Sequence, residues 1–535
     1  MKIKLLYTIS IVAVLTMAIT SCQKGDLSLN PNAASAGSVL PISLIVNNVT
    51  ANLILPEELP FGNGSVYKFN QYQVSNYSKY WGDNTYGWSY SSDSYQILKY
   101  AIALEGQAKT QLGTTNNKYF AISKFLRAYS AVWLSQRVGD IPMSQAGDPN
   151  NITPVFDAQK TVYKNVLALL DTANTIMGSI NSVAANQNAI FDGGDIFGLT
   201  NLQWQKLINT YKLRVLISLS KRADDNADLG IKTQFAAIVT NPTTYPIMTS
   251  NSDNMVYKFT ASNLYPNWAL GNNAYNNFQN VGETILSITR NNADPRTFLM
   301  ACPIGGGAIN SFASYVGGVS STALSLLQSQ GSTNVISAFN GQRYFANSFV
   351  SSSTINTYEP FVFIGYSELC FNIAEGINRG WAPTLTAADA ATYYNNGISA
   401  SFKNFGLSTT ANTTVNVSNV AGASLGTVTT DNATFLTKTA YNTGTPATAL
   451  KQILEQKYVA LFMNSGYEAF MNARRTGVPT FSANGAGTGT ASGAIPKRWL
   501  YPLSEINYNN ANYKTALTNQ FSGADDVNLD TWLTK

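Results

Sequence analysis

A mainly α-helical body is the fold class that this sequence predicts. The first observation is that apolar residues recur at three- and four-residue steps in five separate stretches. The second is that caps and stops stand at the ends of those stretches. The third is that strand signals are short and weak, while long Gly-, Ser-, Thr- and Asn-rich tracts (303–357, 408–446 and 482–495) read as loops or small irregular insertions.

The chain opens with Met1-Lys2-Ile3-Lys4, then a mostly apolar run from Leu5 to Ile19. A basic start, an apolar middle and small residues before a cut site describe a secretory signal over residues 1–21. The signal ends at Thr20-Ser21-Cys22, which points to a lipoprotein signal with Cys22 as the acylated first residue of the mature chain. Fifteen residues are too few for a spanning helix, which needs about 20 apolar residues. Residues 22–40 are rich in Gly, Ser, Asn and Pro and read as a flexible tether. Residues 41–535 read as one domain.

Within that body, Asn117 to Arg137 carries Phe120, Phe125, Ala128, Val132 and Trp133, and is stopped by Gly139 and Pro142. Asp157 is the expected cap of the next helix, whose stripe is Val162, Val166, Leu169, Leu170 and Ala173. Trp204 to Arg222 repeats the pattern. Thr386 and Asp389 have capping-box spacing before a helix that Gly406 stops. Leu450 to Phe462 closes the series. Successive pairs suggest stacked helical hairpins of tetratricopeptide type, with an irregular loop-rich region packed on them.

Composition narrows the function. Only 12% of the 535 residues are charged, against about 25% in an average globular chain. The net charge of +5 is dispersed, with no Lys/Arg run, so a nucleic-acid footprint is not expected. There is no histidine, which removes Ser-His-Asp and Cys-His nucleophiles and His-based metal sites. No catalytic set and no cofactor or metal site is expected. Cys302 and Cys370 read as buried free thiols.

Four segments in order resemble the SusD/RagB family of nutrient-binding outer-membrane lipoproteins. The first is Phe125-Leu126-Arg127-Ala128-Tyr129 followed by Gly139-Asp140-Ile141-Pro142. The second runs from Trp204 to Arg214, with Asp294-Pro295-Arg296 further on. The third runs from Tyr366 to Gly376. The fourth runs from Ile453 to Phe462, then Gly466-Tyr467-Glu468-Ala469-Phe470 and Arg474-Arg475-Thr476-Gly477, and Arg498-Trp499-Leu500-Tyr501-Pro502 completes the set. Gly376 departs from the pattern, where Ala is expected. Glu368, Glu375, Arg474 and Arg475 read as an ion-pair network joining helices, and Asp140 and Asp294 as turn and cap residues.

The resemblance implies a SusD-like fold and a lipid-anchored, cell-surface protein of the outer membrane. It implies a binding role in nutrient uptake, capturing a glycan or a peptide and delivering it to a SusC-type TonB-dependent barrel transporter. A surface glycoside hydrolase is the enzyme alternative, but no convergent acid–base pair is visible in the sequence.

Two aromatic clusters are independent pointers to a sugar. Residues 67–100 interleave many Tyr and Trp residues with Asn and Ser, and residues 263–278 place Tyr265, Trp268, Tyr275 and Phe278 among Asn residues. Flat rings cover the C–H face of a sugar, and amides bond its hydroxyl rim. Trp81, Tyr86 and Trp88 lie beside Gly82 and Gly87, a loop neighbourhood. These three, with Tyr265 and Trp268, are the ligand-binding candidates.

Overall fold

The computed structural model describes residues 39–61, 66–77, 84–88, 90–148, 150–259, 277–345 and 359–535. Cys22, Trp81, Tyr265 and Trp268 lie outside these residues. Helix α1 (Ile42–Ala51) leads into long helices α2 (Tyr95–Leu112), α3 (Lys118–Val138), α4 (Gln159–Asn181) and α5 (Asn201–Ser218). Each of α2 to α5 packs against the next. Then come α6 (Ile231–Thr240), α7 (Glu283–Asn291), α8 (Leu324–Ser332), α9 (Tyr366–Asn378), α10 (Ala387–Asn404), α11 (Pro446–Ala460), α12 (Glu468–Thr476) and α13 (Asn510–Phe521). Helix α9 packs on both α10 and α11.

The caps explain these limits. Asn117 accepts the Phe120 N–H at 2.8 Å and starts α3. Thr200 and Gln203 form a capping box that starts α5, earlier than the apolar stripe alone indicates. Thr386 and Asp389 form the box expected for α10. Asp157 does not cap α4. Its carboxylate instead accepts the N–H groups of Met143 and Ser144 at 3.0 and 2.7 Å, and Asp140 accepts the Gln159 N–H at 2.7 Å. Asp140, 19 positions back along the chain, thus serves the start of α4 in place of the residue near it in sequence.

Buried aromatics fill the space between helices. Trp204, fully buried, meets Phe125 edge-on at 5.8 Å, and its indole N–H reaches Asp195 at 3.0 Å. Gly376 has a steric reason: a Cβ there would lie 2.1 Å from the ring of Phe235. The departure from the family pattern therefore lets α6 approach α9.

Charged side chains bind the later helices together. Arg475 on α12 holds Glu375 on α9 at 2.5 and 2.9 Å. Arg214 on α5 holds Glu368 on α9 at 2.8 Å. Lys457 on α11 donates to Asn372 and Asn472 at 2.7 and 2.8 Å. Arg296 is fully buried on Asp294, Ser401 and Gln456. Arg474 behaves differently, donating to the carbonyls of Lys497 and Gln136. Buried ions on this scale require such partners.

Among the described residues, three short two-stranded sheets sit among the loops. β1 (Gln73–Ser75) pairs antiparallel with β3 (Gln279–Val281), β2 (Met255–Tyr257) with β4 (Phe361–Ile364), and β5 (Thr414–Ser418) with β6 (Ser424–Thr429). Cys302 and Cys370 are free and buried.

Candidate functional site

Pairing of β1 with β3 decides where the site lies. Gln73 faces Val281 and Ser75 faces Gln279, joining segments about 200 positions apart in sequence. The chain leaving β1 and the chain entering β3 therefore run side by side. Tyr77 stacks on Phe278, with ring centroids 4.7 Å apart and planes 21° apart. Those two rings come one from each aromatic cluster of the sequence.

They border a cavity of about 1150 Å³, slightly above the range of about 300–1,000 Å³ typical of small-molecule sites. Its other walls are the strip 302–307, the end of α8 and the turn between β5 and β6. Among the described residues, no Asp, Glu, Lys or Arg lines it. Asn76, Asn277, Asn280 and Asn334 supply amides instead.

Asn76 and Asn280 are both buried, at 4% and 3% exposure. The side-chain N–H groups of Asn76 donate to Asn280 Oδ1 at 3.0 Å and to the Asn277 carbonyl at 3.3 Å. That assignment directs Asn76 Oδ1 elsewhere, and it has no hydrogen-bond partner among the described residues. A buried acceptor left so costs about 1–3 kcal/mol until a donor arrives. Gly331, in the last turn of α8, presses against the same amide, and a Cβ there would lie 2.0 Å from Asn76 Nδ2. Cys302 also lines the cavity, and burial pushes its thiol up to about 12, so it is a neutral wall.

Tyr86 and Trp88 are placed elsewhere. Both lie on irregular chain, as expected, but neither faces solvent, at 2% and 9% exposure. Tyr86 stacks on Phe69 at 5.0 Å and donates its hydroxyl to the Phe69 carbonyl at 3.0 Å. Trp88 lies parallel to Trp499 at 3.7 Å and meets Phe470 edge-on. This corrects the surface-loop expectation: glycine and serine neighbours let the loop turn inward, and burial of two large apolar faces drives it there. The site residues the sequence did not single out are Asn76, Tyr77, Phe278 and Asn280. Tyr77 stands inside one aromatic cluster and Phe278 ends the other, but nothing in the sequence said that the clusters meet.

The family model described as starch-binding associating with outer membrane, SusD-like, matches residues 43–502. The chain belongs to this SusD-like family. The family is one of nutrient-binding outer-membrane proteins. A SusD homologue of Bacteroides fragilis is 27% identical, with a TM-score of 0.77, covering 93% of this chain and 100% of its own. A second homologue of the same species is also 27% identical, with a TM-score of 0.70, covering 93% and 99%. A chitin-binding protein shares the fold at 20% identity and a TM-score of 0.63, covering 92% and 99%. No curated protein matches the chain. In this SusD-like chain the helical pairs are the scaffold, and the cavity belongs to the irregular region packed on them.

Proposed function

We propose that this SusD-like protein captures a neutral glycan at the cell surface and delivers it to a SusC-type TonB-dependent barrel. In this reading Cys22 carries the lipid that holds it to the outer membrane, and the protein binds without cleaving. The observation that carries the proposal is the uncharged, amide-walled cavity bordered by the Tyr77–Phe278 stack. A sugar offers an apolar C–H face to the rings and hydroxyls to the amides. A polyanion would find no cation among the described lining residues. The lining has no described carboxylate pair of the kind glycoside hydrolysis uses.

The test is affinity electrophoresis through gels containing neutral plant, fungal or bacterial polysaccharides, with a reducing-sugar assay on the same mixtures. Retardation by one polymer without sugar release is expected, and Asn76→Ala abolishes it. Release of reducing ends would replace binding by hydrolysis. Binding of uncharged oligopeptides with no retardation by any glycan would move the ligand to the peptide class. Cys22→Ala is expected to free the protein from the outer membrane, read by fractionation.

A further inference from the structure

We propose that a second cleft, at the opposite extreme of charge, binds a tetrahedral oxyanion such as a phosphate or sulfate monoester. It lies where the end of α9, the start of α11 and the end of α12 meet the turn after α5, and encloses about 260 Å³. The chain has only 34 Lys and Arg in 535 residues, yet Lys221, Arg379, Lys451 and Arg475 are four of the ten residues lining this cleft. Such a concentration on a charge-poor chain requires an explanation.

Helix ends explain part of it. Lys221 follows α5, Arg379 directly follows α9 and Arg475 is in the last turn of α12, where a cation offsets the partial negative charge of a helix C-terminus. Glu375 also engages both Arg379 and Arg475, at 2.8 and 2.5 Å. Lys221 donates to the Thr534 carbonyl at 2.7 Å.

Lys451 has neither excuse. It stands in the second turn of α11, away from the C-terminus that would favour a cation, and its carboxylate partner Glu455 is 3.7 Å away. It is 66% exposed along its side chain. Arg379 keeps Nη1 without a hydrogen-bond partner among the described residues, while Nε and Nη2 hold Glu375. Four cations thus face two carboxylates, and the positive end of α11 adds to them. An apolar wall is formed by Leu450, Leu454 and Val478. A compact dianion fits the excess charge, and its apolar substituent fits that wall.

The site is separate from the glycan cavity, and its test does not depend on it. Isothermal titration of the purified full-length protein with inorganic phosphate, sulfate and acetate at low ionic strength is the experiment. Saturable binding of phosphate and sulfate is expected, with acetate weaker by roughly fivefold or more, and weakening as sodium chloride is raised. Lys451→Gln and Arg379→Gln each lower phosphate affinity roughly fivefold or more, while Lys497→Gln, outside the cleft lining, leaves it unchanged. Lys451→Gln removes only an exposed side chain, so an unchanged melting temperature separates lost binding from lost fold. Dilution heat alone in the native protein, or equal affinity in native and Lys451→Gln proteins, overturns the proposal.

Discussion

Arg475 grips Glu375 with both terminal nitrogens, at 2.5 and 2.9 Å, across the interface of α12 and α9. Burial alone would raise the Glu375 carboxyl, but Arg475, Arg379 and Lys457 outweigh it and hold the group at about 2. A carboxyl lowered from 4.5 contributes stability that is fully present above about pH 4.5 and is lost as pH falls toward 2. The amount is on the order of 3 kcal/mol. Urea unfolding at pH 7 and pH 3 checks it. Arg475→Ala strands a buried carboxylate and is expected to cost about 3–5 kcal/mol at pH 7.

Asp140 has the opposite sign. Burial raises its carboxyl to about 7, against the lowering effect of the Gln159 N–H it accepts. The folded state therefore holds the proton more tightly than the unfolded state. The contribution to stability is fully present below about pH 4 and is lost as pH rises through 7, by a few kcal/mol. Asp140→Asn keeps an oxygen for the Gln159 N–H and cannot ionise. Its melting temperature is expected to exceed that of the native protein at pH 8 and to approach it at pH 5.

Trp88 and Phe278 separate packing from binding. Trp88→Ala removes a buried stack on Trp499 and is expected to cost about 3–5 kcal/mol of stability. Phe278→Ala, on a half-buried ring at the cavity, is expected to leave the melting temperature nearly unchanged and to weaken glycan binding by on the order of 1 kcal/mol. Thermal melts and titrations of both variants, run side by side, would contradict this if the two effects were exchanged.

Gly331→Ala is the sharpest test of Asn76. The added methyl forces the Asn76 amide to move, because no Cβ fits 2.0 Å from Nδ2. Glycan affinity is expected to fall roughly tenfold, about 1.4 kcal/mol, with the helical far-ultraviolet signal intact. Unchanged affinity would mean that Asn76 Oδ1 does not meet the ligand.

Much of the fold was legible because helix signals are local. The Thr386 capping box and the Gly139 stop lie within one turn of the stripes they bound, so spacing alone reveals them. The ion pairs of Glu368 and Glu375 were legible as a class, since charges among apolar helix residues must find partners. Arg475 was among the charges named and does hold Glu375, whereas Arg214, the partner of Glu368, was not named, because it arrives from a helix 154 positions away. Tyr86 and Trp88 show the limit most plainly. Glycine neighbours and aromatic identity describe an exposed binding loop and an inward-folded one equally well.

By itself, then, the sequence determined the helical class, some helix ends such as those at Gly139 and Thr386, the family resemblance and the two aromatic clusters as places of interest. Each rests on residues near one another in the chain, or on motifs in a fixed order. The tertiary structure alone decided that Tyr77 meets Phe278, that Asn76 Oδ1 lacks a partner, that Tyr86 and Trp88 point inward and that four cations share one cleft. Those outcomes depend on which distant segments pack together. Strand pairing and burial settle that through the summed energy of the whole chain, which no local pattern encodes.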